Sequence, residues 1–204
     1  MKNAEEHYNK LAEIYDIKWV RYNDRTAEEI IKNIKLKDKL RIFDAGCGTG
    51  ILIKKILERN NKISVTGVDI SKEMLKIAKS KLNSYKDVKL LNGDIENLKL
   101  KNKFDLIISN SVLHYLNDLD NIFVKFKSLL NKNGELILVD WSRDSILFKL
   151  LNYYFRLRIK AFKQIYTTEF IKETLNRNGF KIEKAYNFKI GFWNLYLVKA
   201  KIIK

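Results

Sequence analysis

Between Leu40 and Trp141, short β-branched segments alternate at a regular pace with amphipathic helical patterns. That alternation restricts the chain to one class of fold. Parallel strands need long crossovers, and a helix in each crossover covers the sheet, so the pattern predicts an α/β fold with a mostly parallel sheet and helices on both faces. Strands are expected at Arg41–Asp44, Ile63–Val68 (ending at Asp69), Val88–Leu91, Phe104–Ile108 and Glu135–Asp140, the last entered through the turn dipeptide Asn133-Gly134. Between them, helices are expected over 50–59, after a Ser71 cap, and over 119–130, where Leu52, Ile53, Ile56, Leu57, then Met74, Leu75, Ala78 and Leu82 recur at helical spacing.

The flanks differ from this core. Ahead of Leu40, Tyr8, Leu11, Ile14, Tyr15, Trp19 and Tyr22 are spaced for burial on one or two helices. After Trp141 come a basic, aromatic helix over 145–163, a helix capped by Thr168 and ending at Asn178-Gly179, and two strands, Phe180–Phe188 and Trp193–Ile202, joined at Gly191 as an antiparallel closing pair. The expected organisation is a single domain over 1–204. Within it, 1–39 form a helical cap, 40–142 the ligand-binding core, 143–166 a lid or insertion helix, and 167–204 the last helix and closing strands.

Composition removes several classes. With 46% apolar and 12% aromatic residues spread from end to end, the chain is not read as disordered. Its single cysteine forbids an internal disulfide, the start carries acids where a signal peptide would be apolar, and apolar runs reach only four residues against the ~18 of a membrane span. The expectation is a cytoplasmic protein without a transmembrane segment. Formal charge is +16, and residues 143–204 hold 14 Lys and Arg against four acids. Such an excess suits nucleic acid, an anionic membrane or an acidic substrate, although 32 of the 40 cations are Lys, which commonly line solvated faces.

The string Asp44-Ala45-Gly46-Cys47-Gly48-Thr49-Gly50 lies where the first strand gives way to the first core helix. Glycines there let backbone approach a ligand and present free N–H groups. The spacing is G-x-G-x-G, with Ile at position 51 where the dinucleotide fingerprint G-x-G-x-x-G requires glycine. Asp69 follows the second strand, where a carboxylate can accept from both hydroxyls of a ribose, and Asp94 follows the third. Three acids on one rim suit a cationic nucleoside ligand better than a pyrophosphate. Cys47 has no CxxC partner and is read as a small buried residue.

On these residues, and on the fourth-strand string Phe104-Asp105-Leu106-Ile107-Ile108-Ser109-Asn110, the chain resembles class I S-adenosylmethionine-dependent methyltransferases, with their Rossmann-like seven-stranded sheet. The resemblance implies S-adenosylmethionine as cofactor, with S-adenosylhomocysteine as product. Gly46 and Gly48 would lie under its methionine part and Asp44 near its ammonium. Asp69 would hold the ribose, Ile70 and Met74 would flank the adenine, and Asp94 with Ile95 would meet the adenine amino edge. Asn110 would face the reacting methyl, and Tyr15 is the candidate for the N-terminal aromatic that closes over the cofactor.

Methyl transfer from a sulfonium is an in-line displacement that depends first on alignment. After Asn110 comes Ser111-Val112-Leu113-His114-Tyr115-Leu116, and His114 is the candidate base at the acceptor, against a purely local hydrogen-bonding role at a helix start. His7 precedes the core and is not assigned. The run Ser109-Asn110-Ser111-Val112 lacks the Asn-Pro-Pro-Tyr of enzymes that methylate base amino groups. The expected function is therefore methylation of a small-molecule acceptor at O, N or C. Alternatives are an RNA methyltransferase using the basic final third, an enzyme of lipid-like acceptors at a membrane surface, a cofactor-binding protein without catalysis, and a nicotinamide enzyme. On the helix over 145–163, Lys149, Arg156, Lys160 and Lys163 are placed on one face, with Leu147, Leu150, Leu151, Tyr154, Leu157 and Ala161 largely opposite. The apolar side is expected to cover sheet or pocket, leaving at most weak, salt-sensitive membrane contact. Oligomeric state is not legible.

Overall fold

The computed structural model describes residues 2–203. Strands β1 (Arg41–Ala45), β2 (Ser64–Asp69), β3 (Val88–Asn92), β4 (Phe104–Asn110), β5 (Leu130–Trp141), β6 (Phe180–Ile190) and β7 (Trp193–Ile202) form one sheet in the order β3-β2-β1-β4-β5-β7-β6. The first five are parallel, and β7 runs antiparallel to both β5 and β6. This is the expected Rossmann-like seven-stranded sheet with helices on both faces.

Helix placement follows the apolar stripes. On one face, α2 (Val20–Ile31), α3 (Ile51–Arg59) and α4 (Lys72–Leu82) bury Ile30, Ile53, Ile56, Leu75 and Ala78 against Ile42, Val65 and Ile108. On the other, α5 (Leu119–Leu129) and α7 (Thr168–Arg177) bury Phe123, Phe126 and Leu175 against Phe43, Ile107, Leu138 and Val198. Successive strand residues point to opposite faces, which is why Ile42 and Phe43 belong to different cores. α1 (Lys2–Lys18) lies across the C-terminal rim of the parallel strands, and α6 (Ile146–Arg158) follows β5. The Ser71 hydroxyl caps α4 by accepting from the Met74 N–H at 3.1 Å.

Four expectations need correction. The cap of α7 is Thr167, whose hydroxyl accepts from Phe170 N–H at 3.2 Å; Thr168 is already helical and bonds Asp144 instead. Asn133-Gly134 does not end α5, which stops at Leu129; the dipeptide lies within β5, whose register against β4 shifts there. The basic helix ends at Arg158, with Ile159 extended, because the buried Asn152 side-chain oxygen accepts from Ile165 N–H at 2.6 Å and turns the chain inward at Ala161 and Phe162. Lys160 and Lys163 therefore lie beyond the helix. Finally, the apolar residues assigned to its inner face are largely outside: Leu147, Leu150, Tyr154 and Leu157 are exposed, and Phe148 and Asn152 are the buried ones.

Candidate active site

β1 ends in Ala45, and its glycine loop folds against β2: the N–H groups of Gly46 and Cys47 both donate to the Val68 carbonyl, at 2.8 and 2.9 Å. Gly46, Gly48 and Gly50 have φ of 93°, 51° and 78°, the left-handed region that favours glycine. Gly46 is further restricted, because a Cβ there would meet Val112 Cγ2 at 2.2 Å. The loop thus brings β1 and the segment after β4 closer than a side chain allows. Cys47 is buried and its thiol pushed well up by desolvation, consistent with a packing role.

Two carboxylates flank the loop in different states. Asp69 is held as an acceptor: Gly48 N–H donates to Oδ2 and Ser71 N–H to Oδ1, each at 2.8 Å. Burial raises its pKa while these amides oppose the rise. Asp44 is buried, and its Oδ2 has no hydrogen-bond partner. Desolvation, followed by repulsion from Asp69, lifts its pKa to about 7. A buried carboxylate left in that condition fits a site meant for a cationic ligand.

The cleft above the loop offers about 940 Å³ of empty space, open solvent included. Of the sequence candidates, Tyr15, Asp44, Gly46, Gly48, Asp69, Ile70, Met74, Ile95 and Asn110 all line it. α1 forms its roof through Ala4, Tyr8 and Tyr15. That helix is tied down by Asp16, which accepts from Thr49 Oγ1 at 2.6 Å and pairs with Lys81, and by Asn9, which accepts from Ser71 Oγ at 2.7 Å.

Two candidates stand elsewhere. Asp94 does not line the cleft; its carboxylate caps its own turn, accepting from Glu96 N–H at 2.9 Å and Asn97 Nδ2 at 3.2 Å, while neighbouring Gly93 and Ile95 face the space. His114 is buried behind the wall in a short 3-10 turn, Leu113–Tyr115. Its Nδ1 lies 2.6 Å from Asp140 Oδ1, its ring stacks on Trp141 at 4.5 Å, and its Nε2 has no partner. It touches the site through Tyr115, whose ring centroid is 4.2 Å away.

Sequence reasoning missed the polar part of the wall. Tyr8 Oη donates to Tyr115 Oη at 3.2 Å, although 107 residues separate them, and Tyr22 Oη and Ser111 Oγ are 2.7 Å apart. Desolvation raises the pKa of Tyr8, Tyr15, Tyr22 and Tyr115, so these hydroxyls stay protonated. Ser111, the residue after β4, lines the cleft with φ of 60°, a left-handed conformation that strains a non-glycine residue. No sequence pattern announced these pairs, although the aromatic spacing ahead of Leu40 marked Tyr8 and Tyr22 for burial.

These features fit S-adenosylmethionine. The unpartnered Asp44 oxygen suits an ammonium, Asp69 retains lone pairs for ribose hydroxyls, and buried Met74 with Ile70 and Ile95 offers an apolar slot for a base. Among the described residues, no cluster of His, Cys, Asp and Glu could hold a metal ion.

Comparison with known proteins points the same way. A family model described as a methyltransferase domain matches residues 36–181. A malonyl-[acyl-carrier protein] O-methyltransferase of Halalkalibacterium halodurans is 30% identical over 170 residues, covering 78% of this chain and 61% of that protein. One from Acetivibrio thermocellus is 33% identical over 132 residues, 64% of this chain and 46% of its own length. The chain thus spans about half the length of the curated relatives it matches. In fold it is similar to a Haloferax volcanii methyltransferase solved with the Trm112 activator, at TM-score 0.83 and 14% identity, covering 97% and 98% of the two chains.

Proposed function

This chain belongs to the class I S-adenosylmethionine-dependent methyltransferases, and we propose that it transfers the methyl group to an oxygen of a small-molecule acceptor. The observation that carries this reading is the cleft wall. It has the buried Asp44 and the half-buried Asp69 carboxylates and a cluster of protonated hydroxyls, with no Lys, Arg or His among the described lining residues. The wall carries no cation of its own, so the bound sulfonium would be the positive charge nearest an acceptor, and the uncharged hydroxyls can orient an acceptor oxygen by hydrogen bonds. Oxygen as the methylated atom is supported by the printed names of the relatives, which are O-methyltransferases.

When bound, the cofactor supplies an electrophilic methyl on a sulfonium. The chain's own residues position it. Asp44 balances the ammonium, Asp69 accepts from the ribose hydroxyls, and Ile70, Met74 and Ile95 enclose the adenine. Asn110, Ser111, Tyr8 and Tyr115 line the acceptor side and orient its oxygen by hydrogen bonds, while Tyr15 and α1 exclude water. His114 is a positioning residue: Asp140 fixes its ring, and the ring supports Tyr115.

Tyr115→Phe is expected to slow turnover by about tenfold or more, with cofactor affinity changed by less than about threefold. His114→Asn should also slow turnover while leaving the pH profile of kcat/KM unchanged; loss of an ionisation from that profile in the variant would make His114 the base instead. The acceptor itself is found by incubating the protein with isotopically labelled S-adenosylmethionine and a cell extract, then identifying labelled products by mass spectrometry. Label in an O-methyl ether or ester of a small molecule supports the proposal. Label confined to RNA, or to N- or C-methyl products, contradicts it.

A further inference from the structure

We infer that α6 is a docking element for an anionic membrane surface. Ile146, Leu150, Tyr153 and Leu157 follow one another at spacings of four, three and four, which places them on one stripe of the helix. That stripe points away from the protein, with exposures of 77%, 67%, 68% and 68%. Its inner side is held by Phe148 and Asn152, so the helix keeps its position without using the stripe. An amphipathic helix normally turns such a face inward.

Cations border the stripe. On a helical projection Lys149 and Arg156 fall on one flank and Arg158 on the other, and Lys160 and Lys163 follow in the turn and irregular segment after the helix. There is no acid from Ser145 to Lys163, and none of these five cations forms an ion pair among the described residues. Tyr153 and Tyr154 have the apolar body and polar tip suited to a headgroup boundary. An aliphatic centre with basic flanks is the pattern of a helix lying in a lipid interface.

Shape and charge choose among occupants. The face is a single convex ridge, about 16 Å long at 1.5 Å per residue, which a fluid acyl boundary accommodates without a preformed groove. A second copy related by two-fold symmetry would gather two sets of these cations at one interface with no acid from 145 to 163 to pair them. Nucleic acid would meet its cations only at the rim and leave the aliphatic stripe against phosphates.

The placement has a consequence for the acceptor. The inner residues of α6 share one small core with Tyr115 and Ala4, which line the cleft, so a helix lying on lipid would set the cleft mouth beside the membrane. No residue of 143–166 lines the cleft itself, so this segment is not a lid in this structure. The docking inference rests on α6 alone, and is read without cofactor or acceptor, so its failure leaves the proposed methyl transfer untouched.

Vesicle flotation of the full chain at about 150 mM salt tests it. The protein is expected to float with phosphatidylcholine vesicles containing about one-third phosphatidylglycerol, and at least about tenfold less with phosphatidylcholine alone. Leu150→Ser with Leu157→Ser, and separately Lys149→Gln with Arg156→Gln, should each cut binding by about tenfold or more. All four positions are exposed, and an unchanged circular dichroism melt certifies the fold. Lys72→Gln with Lys79→Gln, on exposed positions of α4, should change binding by less than about twofold. No flotation at this salt, equal loss in the α4 pair, or a dimer in sedimentation that Leu150→Ser with Leu157→Ser disperses would each overturn the inference.

Discussion

Replacing Asp44 with Asn is expected to stabilise the ligand-free protein above pH 7 and at the same time to remove most of its affinity for S-adenosylmethionine. The Asp44 carboxyl titrates near 7 in the fold against 3.8 for the unperturbed group, because burial and Asp69 oppose its charge. Below about pH 4 it is neutral in both folded and unfolded chains and costs nothing. As pH rises through 7 the folded state must ionise a desolvated group, and the accumulated penalty approaches about 4 kcal/mol as an upper bound. Stability of the ligand-free protein should therefore fall between about pH 4 and 7, and Asp44→Asn should flatten that part of the curve.

A bound ammonium reverses the balance, since its charge favours the ionised carboxylate. Wild-type affinity should accordingly weaken as pH falls below about 7, with proton release on binding, whereas the Asn variant binds about 100-fold more weakly and without that pH dependence. Denaturant unfolding at pH 5 and 8, with calorimetry in buffers of different ionisation enthalpy, measures both halves. A stability profile identical to wild type would mean that Asp44 is not the strained group described here.

Asp69→Ala should act with the opposite sign on stability. Its carboxylate already satisfies the N–H groups of Gly48 and Ser71, so truncation strands two amides and costs the ligand-free protein about 1–3 kcal/mol. It also removes two charge-assisted acceptors for the ribose. Cofactor affinity should drop by about 2–4 kcal/mol, or about 30- to 1000-fold. Thermal unfolding and titration of this variant separate the effects, because a purely structural Asp69 would lower the melting temperature and leave the affinity of the surviving folded protein intact.

The contrast between these neighbours was only partly legible in the sequence. Strand ends and a glycine loop placed Asp44 and Asp69 on one rim, because parallel strands deliver their C-terminal residues to the same edge. The hydrogen bonds that make one satisfied and the other strained depend on loop backbone that spacing does not describe. Asp94 sits at the expected rim, yet its side chain serves its own turn. The tyrosine cluster joins residues far apart in sequence and could not be read from either segment. In α6, periodicity identified residues that share a face but not which face turns inward; the inward face contains the polar Asn152, whose bond to Ile165 also ends the helix earlier than the pattern of cations suggests.

Titration calorimetry of the wild-type chain with S-adenosylmethionine, S-adenosylhomocysteine and NAD tests the central claim most directly. The site described predicts one saturable binding event per chain for the first two, weakened in Asp69→Ala, and no binding heat for NAD, whose pyrophosphate would face Asp44 and Asp69. Saturable binding of NAD, or a folded wild-type chain that binds neither sulfur nucleoside, would contradict it.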